Sequence, residues 1–172
     1  MSDFYDVILN RASTKSFKPD PVPEDVLGRI LEAGKAAPSG MGKQAAVILA
    51  VTNKEVRDEI SRLNAAVMHS DKDPFYGAPV VLVVLADKSV ATHVYDGSVV
   101  MENLLLAARA EGLGCCWIHR AKEVFDTPEG KKILKDAGIE GDYEGVGNCI
   151  LGYSTAEPAV KPKKENYVFC VK

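Results

Sequence analysis

DGSVVMENLLLAARAEGLGCCWI, residues 96–118, is the stretch on which the reading of this chain turns. Val99, Val100, Met101, Leu104, Leu105, Leu106, Ala107, Ala108 and Ala110 leave little polar face on a helix. A helix that is apolar almost all round must be covered on several sides. Glu102, Asn103 and Arg109 interrupt it, and it falls short of the roughly 20 apolar residues a bilayer requires. The segment is therefore either the middle of a core or part core and part subunit interface. Gly112 and Gly114 end it, and residues 115–118, CCWI, read as a buried strand.

Working outward, the most regular strand signal is APVVLVVLA, residues 78–86. An apolar run of that kind between helices belongs inside a sheet covered on both faces. Residues 45–52 and 145–152 predict two more strands. Helical spacing of apolar residues predicts helices over 24–36, with Pro23 in its first turn, and over 54–69. Residues 122–125 and 128–137 give two further helical pieces. A short helix over 2–10, capped by Ser2, presents Phe4, Val7, Ile8 and Leu9. RASTKSF, residues 11–17, is too polar for a core strand and too short for a helix. YVFCVK, residues 167–172, is a last apolar segment that needs a sheet edge, one a partner subunit could supply. Helices and strands alternate without repeats, which is an α+β or mixed α/β arrangement in one domain over residues 1–172.

The 172 residues suffice for a real core, and 47% hydrophobic with 26% charged residues is ordinary for a water-soluble domain. A net charge of −3 argues against a general nucleic-acid or anionic-membrane surface. MSDFYDVILNR lacks a basic leader followed by an apolar run, so a cytoplasmic protein is expected. Cys115, Cys116, Cys149 and Cys170 sit in apolar, strand-like contexts without C-x-x-C spacing and read as buried free thiols.

Several chemistries are absent from the pattern. His69, His93 and His119 lie far apart with no H-E-x-x-H, so no metal site is expected. Gly112-Leu113-Gly114 ends a helix instead of opening one, which rejects a dinucleotide fingerprint. What remains is anion-friendly. Arg11, Ser13 and Lys15 alternate, so in an extended segment two cations and a hydroxyl share one face. PSGMGKQ, residues 38–44, carries glycines that let backbone N–H groups approach a ligand. Taken singly, each of these segments is an ordinary polar turn, and Lys161, Lys163 and Lys164 an ordinary solubilising tail.

Taken together they are specific. RASTKSF, then AAPSGMGKQ, then residues 96–118, then LGYSTAEPAVKPKK resemble, in order and spacing, the FMN-dependent nitroreductase family in its minimal form. The resemblance covers nearly the whole chain. It implies an α+β fold with a mixed, mainly antiparallel sheet flanked by helices, in an intertwined homodimer with FMN at the interface. It implies that Arg11 and Ser13 hold the phosphate and ribityl chain, with Lys15 at the N1/O2 edge of the ring. Pro38, Ser39 and Gly40 would reach the flavin from the other subunit. Trp117 and Ile118 would lie against the ring, with a backbone N–H of His119 or Arg120 near N5. Lys161 and Lys163 match the family's basic pair on the phosphate.

Two departures stand out: Gly42 and Ala45 replace the Asn and second Pro of the usual P-S-x-x-N-x-Q-P. Residues 70–77 should supply a polar contact to the flavin, from Asp71 or Lys72. The implied activity is hydride transfer from NADH or NADPH, through the flavin, to a nitroaromatic, quinone or similar acceptor in a ping-pong cycle. The connection over residues 87–95 is short where larger members carry a lid, so the pocket should be open. No protein side chain need be a covalent catalyst, and His119 is the one candidate proton donor. The alternatives are a specialised reductive reaction, such as dehalogenation or flavin fragmentation, or a flavin-binding protein with little turnover.

Overall fold

The strand signal at the centre of the chain forms the middle of a four-stranded sheet. In the computed structural model, which describes residues 4–172, β2 (Val80–Asp87) pairs with β1 (Ala46–Val51) on one side and β4 (Tyr143–Gly152) on the other. β3 (Gly114–Ile118) closes the order β1-β2-β4-β3, and every pairing between strands is antiparallel. A bulge between Val84 and Leu85 shifts the β2–β4 register.

Period-two alternation divides β2 between two cores. Val81, Val83 and Leu85 face a cluster with Ile60, Leu63, Phe75, Val124 and Phe125. That side is covered by α3 (Lys54–Val67), α5 (Ala121–Asp126) and α6 (Pro128–Asp136). Val80, Leu82, Val84 and Ala86 face Leu27, Ile30, Met101, Leu104 and Ala108, supplied by α2 (Glu24–Lys35) and α4 (His93–Ala110). This is the expected α+β architecture, a mainly antiparallel sheet flanked by helices.

Several expectations are corrected. The central helix α4 begins at His93, before the expected Asp96, because Thr92 and Asp96 are already joined, Thr92 Oγ1 donating to Asp96 Oδ2 at 3.1 Å. It is buried along Asp96, Gly97, Val100, Met101, Leu104, Leu105 and Ala108, whereas Val94, Tyr95 and Val99 face out. Within one chain it is thus core on one side and open on the other. In α1 (Phe4–Asn10) only Val7 is buried, and Phe4, Ile8 and Leu9 are exposed, with no other described element packed over them. The proposed Ser2 cap lies outside the described residues.

RASTKSF is less of a loop than its polarity suggested. Ser13 bridges Cys115 of β3 in parallel, Phe17 bridges Ser154, and Thr14 and Phe17 are buried. YVFCVK forms no strand within the chain, and Val168, Phe169, Cys170 and Val171 are exposed. Cys170 is therefore not the buried thiol expected, while Cys115, Cys116 and Cys149 are buried and free.

Candidate functional site

Two segments from opposite ends of the sequence meet at the outer edge of β3. Thr14 N donates to Cys115 O at 2.9 Å, which lays residues 11–15 along the strand. Lys18 N donates to Tyr153 O at 2.8 Å, Thr155 N donates to Ser16 O at 3.2 Å, and the Ser16 and Thr155 hydroxyls lie 2.5 Å apart. These contacts carry the chain beyond β4 back past residues 11–17. Between them lies a cleft of about 620 Å³ lined by Arg11, Ser13, Lys15, Trp117, Ile118, His119, Arg120, Lys161 and Lys163. Nine of the twelve residues singled out from the sequence therefore share one cavity, gathered from three segments far apart in the chain.

The lining carries Arg11, Lys15, Arg120, Lys161 and Lys163 and no carboxylate. Such a wall attracts anions and suits a phosphate, whose burial needs several cationic donors. Outside that lining, Glu102 of α4 pairs with Arg11, its Oε1 lying 3.8 Å from Arg11 Nε.

Trp117 is 38% exposed, and its indole rests on Gly147 of β4. A Cβ at position 147 would sit 2.2 Å from Trp117 Nε1, so only glycine lets the ring lie there. Ile118 is buried and joins the α3–α5 side of the core, as alternation from Trp117 requires.

The turn after β3 is held from beneath. Asn64 Nδ2 donates to His119 O at 2.9 Å, and Arg120 Nε donates to Asn64 Oδ1 at 3.0 Å. Asn148 Nδ2 reaches Ile118 O at 3.2 Å and His119 O at 3.4 Å. Arg120 has φ +74°, in the left-handed region that few bulky side chains occupy. Neither asparagine was singled out from the sequence. The signal was present, since Asn148 interrupts an otherwise apolar strand and Asn64 falls on the buried face of α3.

The 70–77 loop contributes a residue the sequence reading missed. Asp71 and Lys72 line a separate surface depression with Arg57 and Arg62, whereas Tyr76 lines the cleft. Tyr76 has φ +53°, and Lys15 Nζ lies 5.9 Å from the centre of its ring. Asp73 fixes this loop by accepting from Arg57 Nη2 and Ser61 Oγ, both at 2.6 Å, from Gly77 N at 2.7 Å and from Phe75 N at 2.9 Å. Burial pulls the Asp73 carboxyl up, but these donors together outweigh it and hold it below the usual range. Burial above all pushes the Cys115 thiol up to about 12 and the Cys149 thiol well above its ordinary value, so neither is a ready nucleophile.

Pro38, Ser39 and Gly40 are not brought to this cleft within the chain. Pro38 and Ser39 line a second cavity of about 610 Å³ between α2, β1 and α4. Gly40 N donates to the buried Asp96 Oδ1 at 2.9 Å, and Gln44 N donates to Ser39 Oγ at 3.0 Å, so the loop is anchored on the start of α4. Gly42 has φ +66°, a conformation that glycine and asparagine adopt more readily than other residues. Gly42 in place of asparagine therefore keeps the turn and loses only the side chain.

Among the described residues no group of three or more His, Cys, Asp and Glu side chains is placed to hold a metal ion, and no helix is long and apolar enough to cross a membrane. The model of the Nitroreductase family matches residues 8–74 and 65–153. A nitroreductase from Bacteroides fragilis, solved with bound FMN, superimposes with a TM-score of 0.90 at 27% identity, covering 100% of both chains. A nitroreductase from Desulfitobacterium hafniense, also with bound FMN, gives a TM-score of 0.87 at 26% identity over 99% of this chain and 100% of the other. The NADPH-flavin oxidoreductase of Vibrio harveyi is 27% identical over 186 residues, 98% of this chain and 72% of its own.

Proposed function

Because the chain belongs to the nitroreductase family, we propose that it takes a hydride from NADH or NADPH and passes the electrons to a nitroaromatic, quinone or similar acceptor. It is an NAD(P)H-dependent flavin oxidoreductase whose cofactor is FMN, as in the relatives with bound FMN. The observation that carries the reading is the cleft itself, with five cations, no carboxylate and an exposed indole in one wall.

FMN, when bound, would supply the two-electron redox chemistry. The residues supply binding and electrostatics. Arg11, Lys161 and Lys163 hold the phosphate, and Ser13 offers its hydroxyl to the ribityl chain. Lys15 brings a cation to the N1/O2 edge, where negative charge grows on reduction. Trp117 and Ile118 flank the ring, and a backbone N–H of His119 or Arg120 faces N5. The His119 imidazole stands within reach of an acceptor that needs a proton. The described lining leaves the cleft open, so donor and acceptor use the same face in turn, which is ping-pong kinetics.

Pro38, Ser39 and Gly40 reach a second subunit's flavin in an intertwined homodimer. Three exposed apolar features support that assembly: Phe4, Tyr5 and Leu9 of α1, Tyr95 and Val99 of α4, and the tail from Tyr167 to Val171. Surface of this kind is normally covered. The outer edge of β1 also pairs with no strand among the described residues, and YVFCVK of a partner fits it as an added strand.

The test is the visible spectrum of the purified protein before and after anaerobic NADH or NADPH. A yellow protein with an FMN spectrum that bleaches on addition supports the reading. A colourless protein that takes up no added FMN, or a yellow one that neither nucleotide bleaches, overturns it.

A further inference from the structure

Two buried amides lie behind the cleft wall, and nothing in the reaction outlined above uses them. Asn64 on α3 and Asn148 on β4 are both fully buried, and both donate to carbonyls of the 118–120 turn. Their orientation is dictated by those carbonyls. If either amide were flipped, its oxygen would face a carbonyl oxygen. For Asn148 the consequence is a buried Oδ1 with no partner, an arrangement folded proteins avoid. Packing would be better served there by an apolar side chain, so the amide is retained for what its nitrogen does.

What it does follows from the planarity of the peptide. In a trans peptide the C=O and N–H point to opposite sides. The His119 carbonyl is drawn inward by Asn64 at 2.9 Å and Asn148 at 3.4 Å. The N–H of the same peptide belongs to Arg120 and is turned outward. It has no acceptor among the described residues, and Arg120 lines the cleft. Asn64 Oδ1 also holds Arg120 Nε at 3.0 Å, which secures the residue in its left-handed conformation.

We infer that Asn64 and Asn148 are positioning residues that select the Arg120 N–H, between the two candidates at 119 and 120, as the donor aimed at flavin N5. The inference rests on the FMN reading of the cleft. Neither asparagine touches the cofactor; both act through the 119–120 peptide.

The experiment uses holoprotein reconstituted with ¹⁵N-labelled FMN and follows the oxidised ring nitrogens by NMR. A donor on N5 moves its signal upfield, as for any pyridine-type nitrogen. Asn64→Asp keeps the acceptor for Arg120 but no longer donates to His119 O. Asn148→Leu removes the other donor together with the unpartnered oxygen, so it stands as a second, well-tolerated variant. In each, the N5 signal should move downfield while N1 and N3 stay in place and FMN remains bound. An N5 signal that does not move overturns the inference. A loss of FMN, or equal movement of all ring nitrogens, shows that the asparagines merely support the fold and overturns it too. Wild-type protein that takes up no FMN refutes the functional reading at the outset, so the two failures are told apart.

Discussion

Asp73→Ala tests how the cleft keeps the wall that carries Tyr76. The carboxylate gathers four donors, from Arg57, Ser61, Phe75 and Gly77, at 2.6 to 2.9 Å. Arg57 is buried and would keep only Ala78 O, at 3.0 Å through Nε, and Asp58 Oδ1, at 3.0 Å through Nη1. A hydrogen bond to a charged partner contributes about 1.5–3 kcal/mol, and stranded buried donors add to the loss. The Asp73 side chain is 36% exposed, so solvent screening trims the total to about 2–4 kcal/mol. For a chain of this size that is a fall of about 4–16 °C in melting temperature.

The pH dependence has a definite sign. The folded carboxyl titrates below its unfolded value, so its stabilisation is present above about pH 4 and is lost as pH falls through the folded pKa. Thermal melts of wild type and variant should therefore differ at pH 7 and converge toward pH 3. With the loop released, Tyr76 leaves its place beside Lys15, and FMN binding should weaken with it. Equal melting temperatures at pH 7, or a gap that widens on acidification, would refute the reasoning.

Four further outcomes are expected. Arg11→Ala should weaken FMN by about 2–5 kcal/mol while leaving riboflavin, which lacks the phosphate, almost unaffected; equal loss of both ligands in a titration would make Arg11 a fold residue. Lys15→Met should lower the two-electron potential of bound FMN by about 20–60 mV, equivalent to roughly 1–3 kcal/mol, and an unchanged redox titration would return Lys15 to the surface. Gly147→Ala pushes a Cβ into Trp117, so it should lose about 1–3 kcal/mol in denaturant melts or displace the indole and shift its fluorescence; a variant identical in both would show that the packing tolerates the methyl. Light scattering at micromolar concentration should give a dimer, with an interface above roughly 2,000 Å², and a monomer would sink the shared site.

The elements governed by local pattern were legible in the sequence. β2 and α4 announce themselves because burial on both faces of a strand, or along one broad side of a long helix, leaves a run of apolar residues that needs no partner to be recognised. RASTKSF reads as too polar for a core strand, yet Thr14 and Phe17 are buried where the segment bridges Cys115 and Ser154, more than a hundred residues away. Tyr76 escaped notice for a related reason. Nothing local to YG marks a left-handed tyrosine, which depends on Asp73 gathering donors from α3. Asp71 and Lys72 attracted attention as charges, yet charge in a loop says little about which wall it joins.

The residues that face the cleft and those that shape it differ in kind. Arg11, Lys15, Lys161 and Lys163 are cations that water would accept anywhere, so their meaning lies in being gathered, and only the fold gathers them. Asn64 and Asn148 are polar groups where water is excluded and apolar side chains would pack better, and Asp73 is a partly exposed carboxylate that gathers four donors. Burying such groups is unfavourable unless their hydrogen bonds are made, and, the unpartnered Asn148 Oδ1 aside, theirs are spent on two turns, 73–77 and 118–120. Those two turns contain the positive-φ residues Tyr76 and Arg120, both of which line the cleft. Strained backbone persists where surrounding structure over-determines it, and here the over-determination comes from these three polar side chains. The gathered cations favour an anionic ligand, and the two amides and the Asp73 carboxylate hold the turns that shape the cleft.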